Sequence, residues 1–210
     1  MMDFETLLAA RQNPAALAET LSPEDISFSV GLLGEKNNDI RYAAFLTLAQ
    51  RSKTHNDVYP FWDVLAQKLS HDNSYQRSIG VMLLAENVRW DTENRLDDIL
   101  GTYLARFRDE KFITARQAIQ SLSSWLPQKP EAYPAVLKEL TSVPVDQLPP
   151  TQRKLILLDI LQVLLLMRAA APGEEADAYI FHALDSGLLA KKEKEAIRRR
   201  MDGETANGVA

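Results

Sequence analysis

The stretch Asp72–Asn94, DNSYQRSIGVMLLAENVRWDTEN, decides how the chain is read. It opens on three residues that can cap a helix, sets an arginine at Arg77, and runs on through Ile79, Met82, Leu83 and Val88 at helical spacing. Three other segments share this plan: NDIRYAAFLTLAQ from Asn38, FITARQAIQSLSS from Phe112 and PTQRKLILLDILQ from Pro150. Their arginines align as a column of Arg41, Arg77, Arg116 and Arg153, separated by 36, 39 and 37 residues. Each period holds two helix-length apolar patterns. A helical hairpin of that size cannot keep its apolar face dry alone, so the repeat predicts an all-α solenoid of about five stacked helix pairs.

Working outward from Asp72, Tyr59-Pro60 opens the preceding first helix, with Phe61, Trp62, Leu65, Ala66 and Leu69 along one stripe. Tyr133-Pro134 repeats that dipeptide 74 residues later, twice the period. Ser22-Pro23-Glu24-Asp25 is a helix start: a serine cap, proline at the first position, and acids at the positive end of the dipole. Residues 1–21 read as an N-terminal cap of two short helices, 22–170 as the repeats, 173–201 as two C-terminal capping helices, and 202–210 as a flexible tail, all in one domain spanning 1–201. Val143 to Pro150 carries three prolines and breaks the helical pattern. The helix after it, Arg153 to Ala170, is apolar nearly all round, which calls for cover on every side. The capping helices would supply it. If they leave the apolar stretch Leu155–Met167 partly open, the protein would be a homodimer rather than a monomer.

Composition narrows the functional classes. The 210 residues are 46% hydrophobic and 25% charged, as in a folded chain, and the formal charge of −5 disfavours nucleic acid and anionic lipid as partners. There is no cysteine, and His55, His71 and His182 are scattered, so no metal or cofactor site is expected. The sequence lacks H-E-x-x-H, G-x-S-x-G and a glycine-rich phosphate loop, so no catalytic residue is assigned and the expectation is a non-enzyme. The first residues, MMDFETLLAARQ, carry acids in place of a basic secretory region, and Leu155–Met167 is too short to span a bilayer. The expected location is cytoplasmic, with no membrane.

The arginine column, with small or aliphatic residues two and three places later, resembles HEAT repeats, whose second helices often begin Asp-x-Val-Arg; Asp39-Ile40-Arg41 matches best. In the other three segments the aspartate is missing. The chain also looks like short bacterial HEAT-like proteins of unknown role. The resemblance implies a right-handed solenoid of the ARM/HEAT kind that acts as a scaffold, binding an unidentified protein or peptide on a concave face of second helices. On that implication the positions one and four after each arginine form the partner site: Tyr42 and Phe45, Ser78 and Val81, Gln117 and Gln120, with Lys154 and Leu157 in the fourth unit. Tyr42 and Phe45 stand off the main apolar stripe, either as exposed anchors or packed on the N-terminal cap. The arginines themselves read as structural, pairing with acids or carbonyls of the adjoining repeat.

A second reading rests on Arg89-Trp90-Asp91 and on Trp125 one repeat later, which resemble the Trp, Asp and Arg of HEAT-like DNA glycosylases. The basic helix with Lys191, Lys192, Lys194, Arg198, Arg199 and Arg200 would add the phosphate contacts. The competing explanations are tryptophans that close the gap between repeats, and basic residues that compensate a helix dipole.

Overall fold

The computed structural model describes residues 2–203, and every regular element among them is helical. The α-helices are α1 (Phe4–Ala9), α2 (Pro14–Glu19), α3 (Pro23–Leu32), α4 (Asn38–Thr54), α5 (Trp62–Lys68), α6 (Ser74–Asn87), α7 (Arg95–Leu104), α8 (Phe112–Trp125), α9 (Tyr133–Thr141), α10 (Pro150–Ala170), α11 (Glu174–Asp185) and α12 (Lys191–Met201). Short 3-10 turns and loops join them, and the all-α class expected from the sequence is what the described residues adopt. The helices gather into two compact units, one ending at Arg106 and the other beginning at Phe107. Of the tail expected over 202–210, residues 204–210 lie outside the described residues.

In the first unit the helix starts follow local chemistry. Ser22 Oγ accepts the Asp25 N–H at 3.2 Å while the Asp25 carboxylate accepts the Ser22 N–H, a reciprocal cap for α3. The Met2 N–H also donates to Asp25 at 2.7 Å, and this bond is the main cause that holds the Asp25 carboxyl below its ordinary value. Asn37 and Asn73 cap α4 and α6 through their side-chain oxygens. At α7 the chain turns through Asn94 in the left-handed region (φ 57°), and the capping acceptor comes from Asp91, which takes the N–H groups of Arg95 and Leu96 at 2.9 Å each. The Tyr59 hydroxyl donates to the same carboxylate at 2.8 Å; burial, reinforced by that bond, pushes the phenol up to about 12.

α4 is the centre of this unit, packed against α1, α2, α3 and α6. Its small Ala43 and Ala44 and its Leu48 are buried and let neighbours approach closely. The C-terminal ends of α4 and α6 are cross-linked by polar groups. Asn87 Nδ2 donates to Ser52 Oγ at 3.0 Å, Trp90 Nε1 donates to the Ser52 carbonyl at 2.7 Å, and Arg89 Nη1 donates to the Lys53 carbonyl at 2.8 Å. The Trp90 and Arg89 bonds occupy carbonyls that a helix end leaves without intrahelical partners.

In the second unit α10 packs against α8, α9, α11 and α12. The region 173–201 therefore covers the apolar helix, as its composition requires. Arg168 pins this cover, donating from Nε to Asp177 on α11 at 2.6 Å and from Nη1 to the Met201 carbonyl at the end of α12 at 2.7 Å. Asp159, which interrupts the apolar run of α10, is buried but accepts from Arg116 Nε at 2.5 Å, Arg116 Nη2 at 3.0 Å and Gln120 Nε2 at 2.8 Å. A buried carboxylate is tolerated where it is paired and hydrogen-bonded in this way.

In the first unit α6 packs on α5 and approaches it closely at Gly80. A Cβ there would lie 3.0 Å from Lys68 Cβ and 3.1 Å from the Leu65 carbonyl oxygen. Alanine is the better helix former by about 1 kcal/mol, but crowding a packed contact costs about 1–3 kcal/mol. Gly80→Ala is expected to lower the unfolding free energy by about 1 kcal/mol in a denaturant titration; a stabilised variant would show that the two helices do not meet there.

Candidate functional site

Side chains on an α-helix lean toward its N-terminus, so a long residue in the first turn reaches back over the preceding loop. Arg41, Arg77 and Arg153 each stand four residues after their N-caps, Asn37, Asn73 and Pro149. Arg41 Nη1 donates to the Glu35 carbonyl at 2.7 Å. Arg77 Nη1 donates to the carbonyls of His71 at 2.9 Å and Asp72 at 2.8 Å, and Arg153 Nε donates to the Leu148 carbonyl at 2.7 Å. Each guanidinium thus closes the turn that leads into its own helix. The expectation that the column pairs with an adjoining repeat is corrected for Arg41 and Arg153, because the backward tilt aims them at their own loop. Arg116 follows its N-cap Lys111 by five residues and binds Asp159 on α10 instead.

The residues expected to meet a partner fall into different environments. Tyr42 is 49% exposed and Phe45 half-buried, with their rings stacked at 6.1 Å between centroids. Arg11, from the N-terminal segment, lies 5.6 Å over the Tyr42 ring and pairs with Asp39 at 2.7 Å, so cap contact and exposure coexist at this residue. Ser78 and Val81 are buried, at 7% and 0% exposure, and offer no surface to a partner. The reason is that α6 is covered on almost every side: Gln76 to Val81 and Leu83 to Ala85 are all buried. In the second unit Gln120 is exposed but committed to Asp159, and Gln117 is half-buried. Lys154 pairs with Glu193 at 2.7 Å, and Leu157 is buried.

The residues of the nucleic-acid reading are engaged structurally. Trp125 is fully buried, Trp90 and Arg89 cap the end of α4, and Asp91 caps α7. A ring at 0% exposure cannot stack on a base. The basic helix α12 turns Ile197 and Met201 inward, and its Glu193 and Glu195 pair with Lys154 and Lys191. Among the described residues no group of His, Asp and Glu is placed to hold a metal ion, and no helix is long and apolar enough to cross a membrane.

The first unit also holds a feature that periodicity did not indicate. A hollow of about 420 Å³ opens between the α3–α4 turn and the α5–α6 turn, lined by Glu35, Lys36, Arg41, Lys68, His71 and Tyr75 among others. Tyr75 is 64% exposed and carries the Arg41 guanidinium 5.4 Å above its ring. Lys68 Nζ donates to Gln76 Oε1 at 2.5 Å, and Gln76 Nε2 donates to the Leu33 carbonyl at 2.8 Å, which joins the two turns. Burial, together with the charge of Arg41, holds the Lys68 ammonium below its ordinary value. Comparison with known proteins returns no match, whether by family model, among curated proteins or among solved structures.

Buried hydrogen bonds from a charged donor contribute about 1.5–3 kcal/mol, and their loss strands the acceptor. Arg77 is buried and serves two carbonyls. Arg77→Met, which keeps the apolar stem, is expected to lower the unfolding free energy by about 2–3 kcal/mol by urea titration; a loss below about 0.5 kcal/mol would show that the turn closes without it.

Proposed function

We propose that the chain is a non-enzymatic interaction module, a right-handed HEAT-like α-solenoid of about five helix pairs that binds a protein or peptide on a face of its second helices. Two observations support the repeat. The same arginine-to-turn bond recurs at Arg41, Arg77 and Arg153. Second helix also lies on second helix in both units, α4 on α6 and α8 on α10. Stacking of that kind is how helical hairpins cover each other's apolar faces.

The binding reading is carried by Tyr42. While Ala43, Ala44 and Leu48 fill the interior side of α4, Tyr42 leaves half of its surface in solvent, beside the Phe45 ring. Tyr75 on the next second helix is more exposed still. Aromatic rings backed by fixed neighbours bury a large area on binding at small entropic cost, which is why they dominate interface energies. The partner face proposed here is therefore Tyr42, Phe45 and Tyr75, without Ser78 and Val81.

Affinity capture from native extract with the wild-type chain and with Tyr42→Ala/Phe45→Ala as paired baits tests this, after thermal melts establish that both are folded. The expected outcome is a defined set of proteins recovered about fivefold or more poorly by the double variant, a loss of roughly 1 kcal/mol. Equal recovery by the two baits removes this face from consideration.

A further inference from the structure

We propose that the hollow between the α3–α4 and α5–α6 turns is a binding site for a phosphomonoester group, clasped between Arg41 and Lys68. This goes beyond the partner reading and stands without it: the hollow shares Tyr75 with the proposed partner face, but its cations do not belong to that face and Tyr42 and Phe45 do not line it.

The argument begins with charge balance. The protein is acidic, with 29 Asp and Glu against 24 Lys and Arg, so carboxylates are abundant. Several of its partly buried arginines have taken them: Arg51 pairs with Asp57, Arg95 with Asp63, Arg116 with Asp159 and Arg168 with Asp177. Arg41 and Lys68, like Arg153, have not, and the two of them line one hollow. Both are half-buried, yet their side-chain hydrogen bonds go to neutral oxygens: Arg41 to the Glu35 carbonyl and Asn38 Oδ1, Lys68 to Gln76 Oε1. Among the described residues neither forms an ion pair with a carboxylate, and they lie close enough to repel one another. Holding two like charges together, partly removed from water, is unfavourable unless an anion joins them.

The surroundings favour that anion. Lys36 adds a third cation at the rim, against the single carboxylate of Glu35, whose Oε1 already accepts the N–H groups of Lys36 and Asn37. His71 Nδ1 accepts the Asn73 N–H at 2.9 Å, which in the neutral ring leaves the proton on Nε2 as a donor. The hollow also lies at the positive dipole ends of two long helices, α4 and α6.

The chemistry of the anion follows from the donors. A guanidinium offers a planar fork and an ammonium a point charge, and together they match a tetrahedral group with several oxygens and a charge near −2. A single carboxylate would leave one of the two cations unbalanced. A volume of about 420 Å³ admits a phosphate with an organic group attached. Two sources share this chemistry, a phosphorylated side chain and a small phosphomonoester.

An NMR titration of the full chain at constant ionic strength tests the assignment, with glycerol phosphate, a phosphoserine peptide and its unphosphorylated form as ligands. Amides of 35–41 and 71–76 are expected to shift saturably with the phosphorylated ligands and not with the plain serine peptide. Tighter binding of the peptide assigns the source to a phosphorylated chain, and tighter binding of glycerol phosphate assigns it to a small molecule. Lys68→Met, which keeps the stem packed beside Gly80, is expected to weaken binding about tenfold or more. Lys192→Met, in the basic helix α12, is expected to leave it unchanged. If Lys68→Met melts early, Lys36→Met, at an exposed position, replaces it with an expected loss of about threefold. The proposal is overturned if no saturable shift appears, if the shifts centre on α12, or if the variants at the hollow bind as wild type.

Discussion

An arginine that reaches back to close its own turn is the contact on which the first-unit hairpins and the α10 turn depend. A loop between two helices leaves carbonyls without helical partners, and burying them bare would cost more than most packing gains recover. The guanidinium solves this from within the hairpin, because a first-turn side chain leans the right way and carries donors enough for two carbonyls. Arg77 does so while buried, bonding His71 and Asp72. Once the turn is closed, the second helix leaves it in a set direction, and α4 and α6 lie together, with Ala43, Ala44 and Leu48 buried on α4.

Polar residues then decide which helices are neighbours. Ser52, Asn87 and Trp90 tie the ends of α4 and α6, and Asp159 ties α10 to Arg116 and Gln120 of α8. Apolar contact alone tolerates sliding along a helix, whereas a buried hydrogen bond lost by one turn leaves a polar group stranded. These ties explain why tryptophans at repeat ends, suggestive of base stacking in the sequence, serve packing and capping instead. Trp90 spends its only donor on the Ser52 carbonyl, and Trp125 has no exposed surface.

Much of this was legible in the sequence, because caps and periods are local. Ser22 with Asp25, Asn73 and the prolines mark starts that the helices observe, and the apolar α10 called for the cover that α11 and α12 provide. What stayed hidden depends on direction and on tertiary cover. Periodicity places Ser78 and Val81 beside Tyr42 and Phe45 in the repeat, yet says nothing of whether the far side of α6 is covered, and it is. It could not aim Arg77 at its own loop. Nor could it assemble the hollow, which joins 34–41 to 68–76 across two hairpins; Lys68 ends a first helix and carries no motif.

The division of labour that emerges is between Arg77 and Arg153, spent on their own turns, and Arg41, which closes its turn and also lines the hollow beside Lys68. Its most direct test is side-chain ¹⁵N NMR of the arginine guanidinium groups near neutral pH. If Arg77 and Arg153 are locked to their turns, their Nε–H and Nη–H protons will be resolved, slow to exchange with water and restricted in rotation, in contrast to exposed Arg199. Guanidinium signals from Arg77 and Arg153 that exchange and average as fast as that of Arg199 would contradict the account at its root.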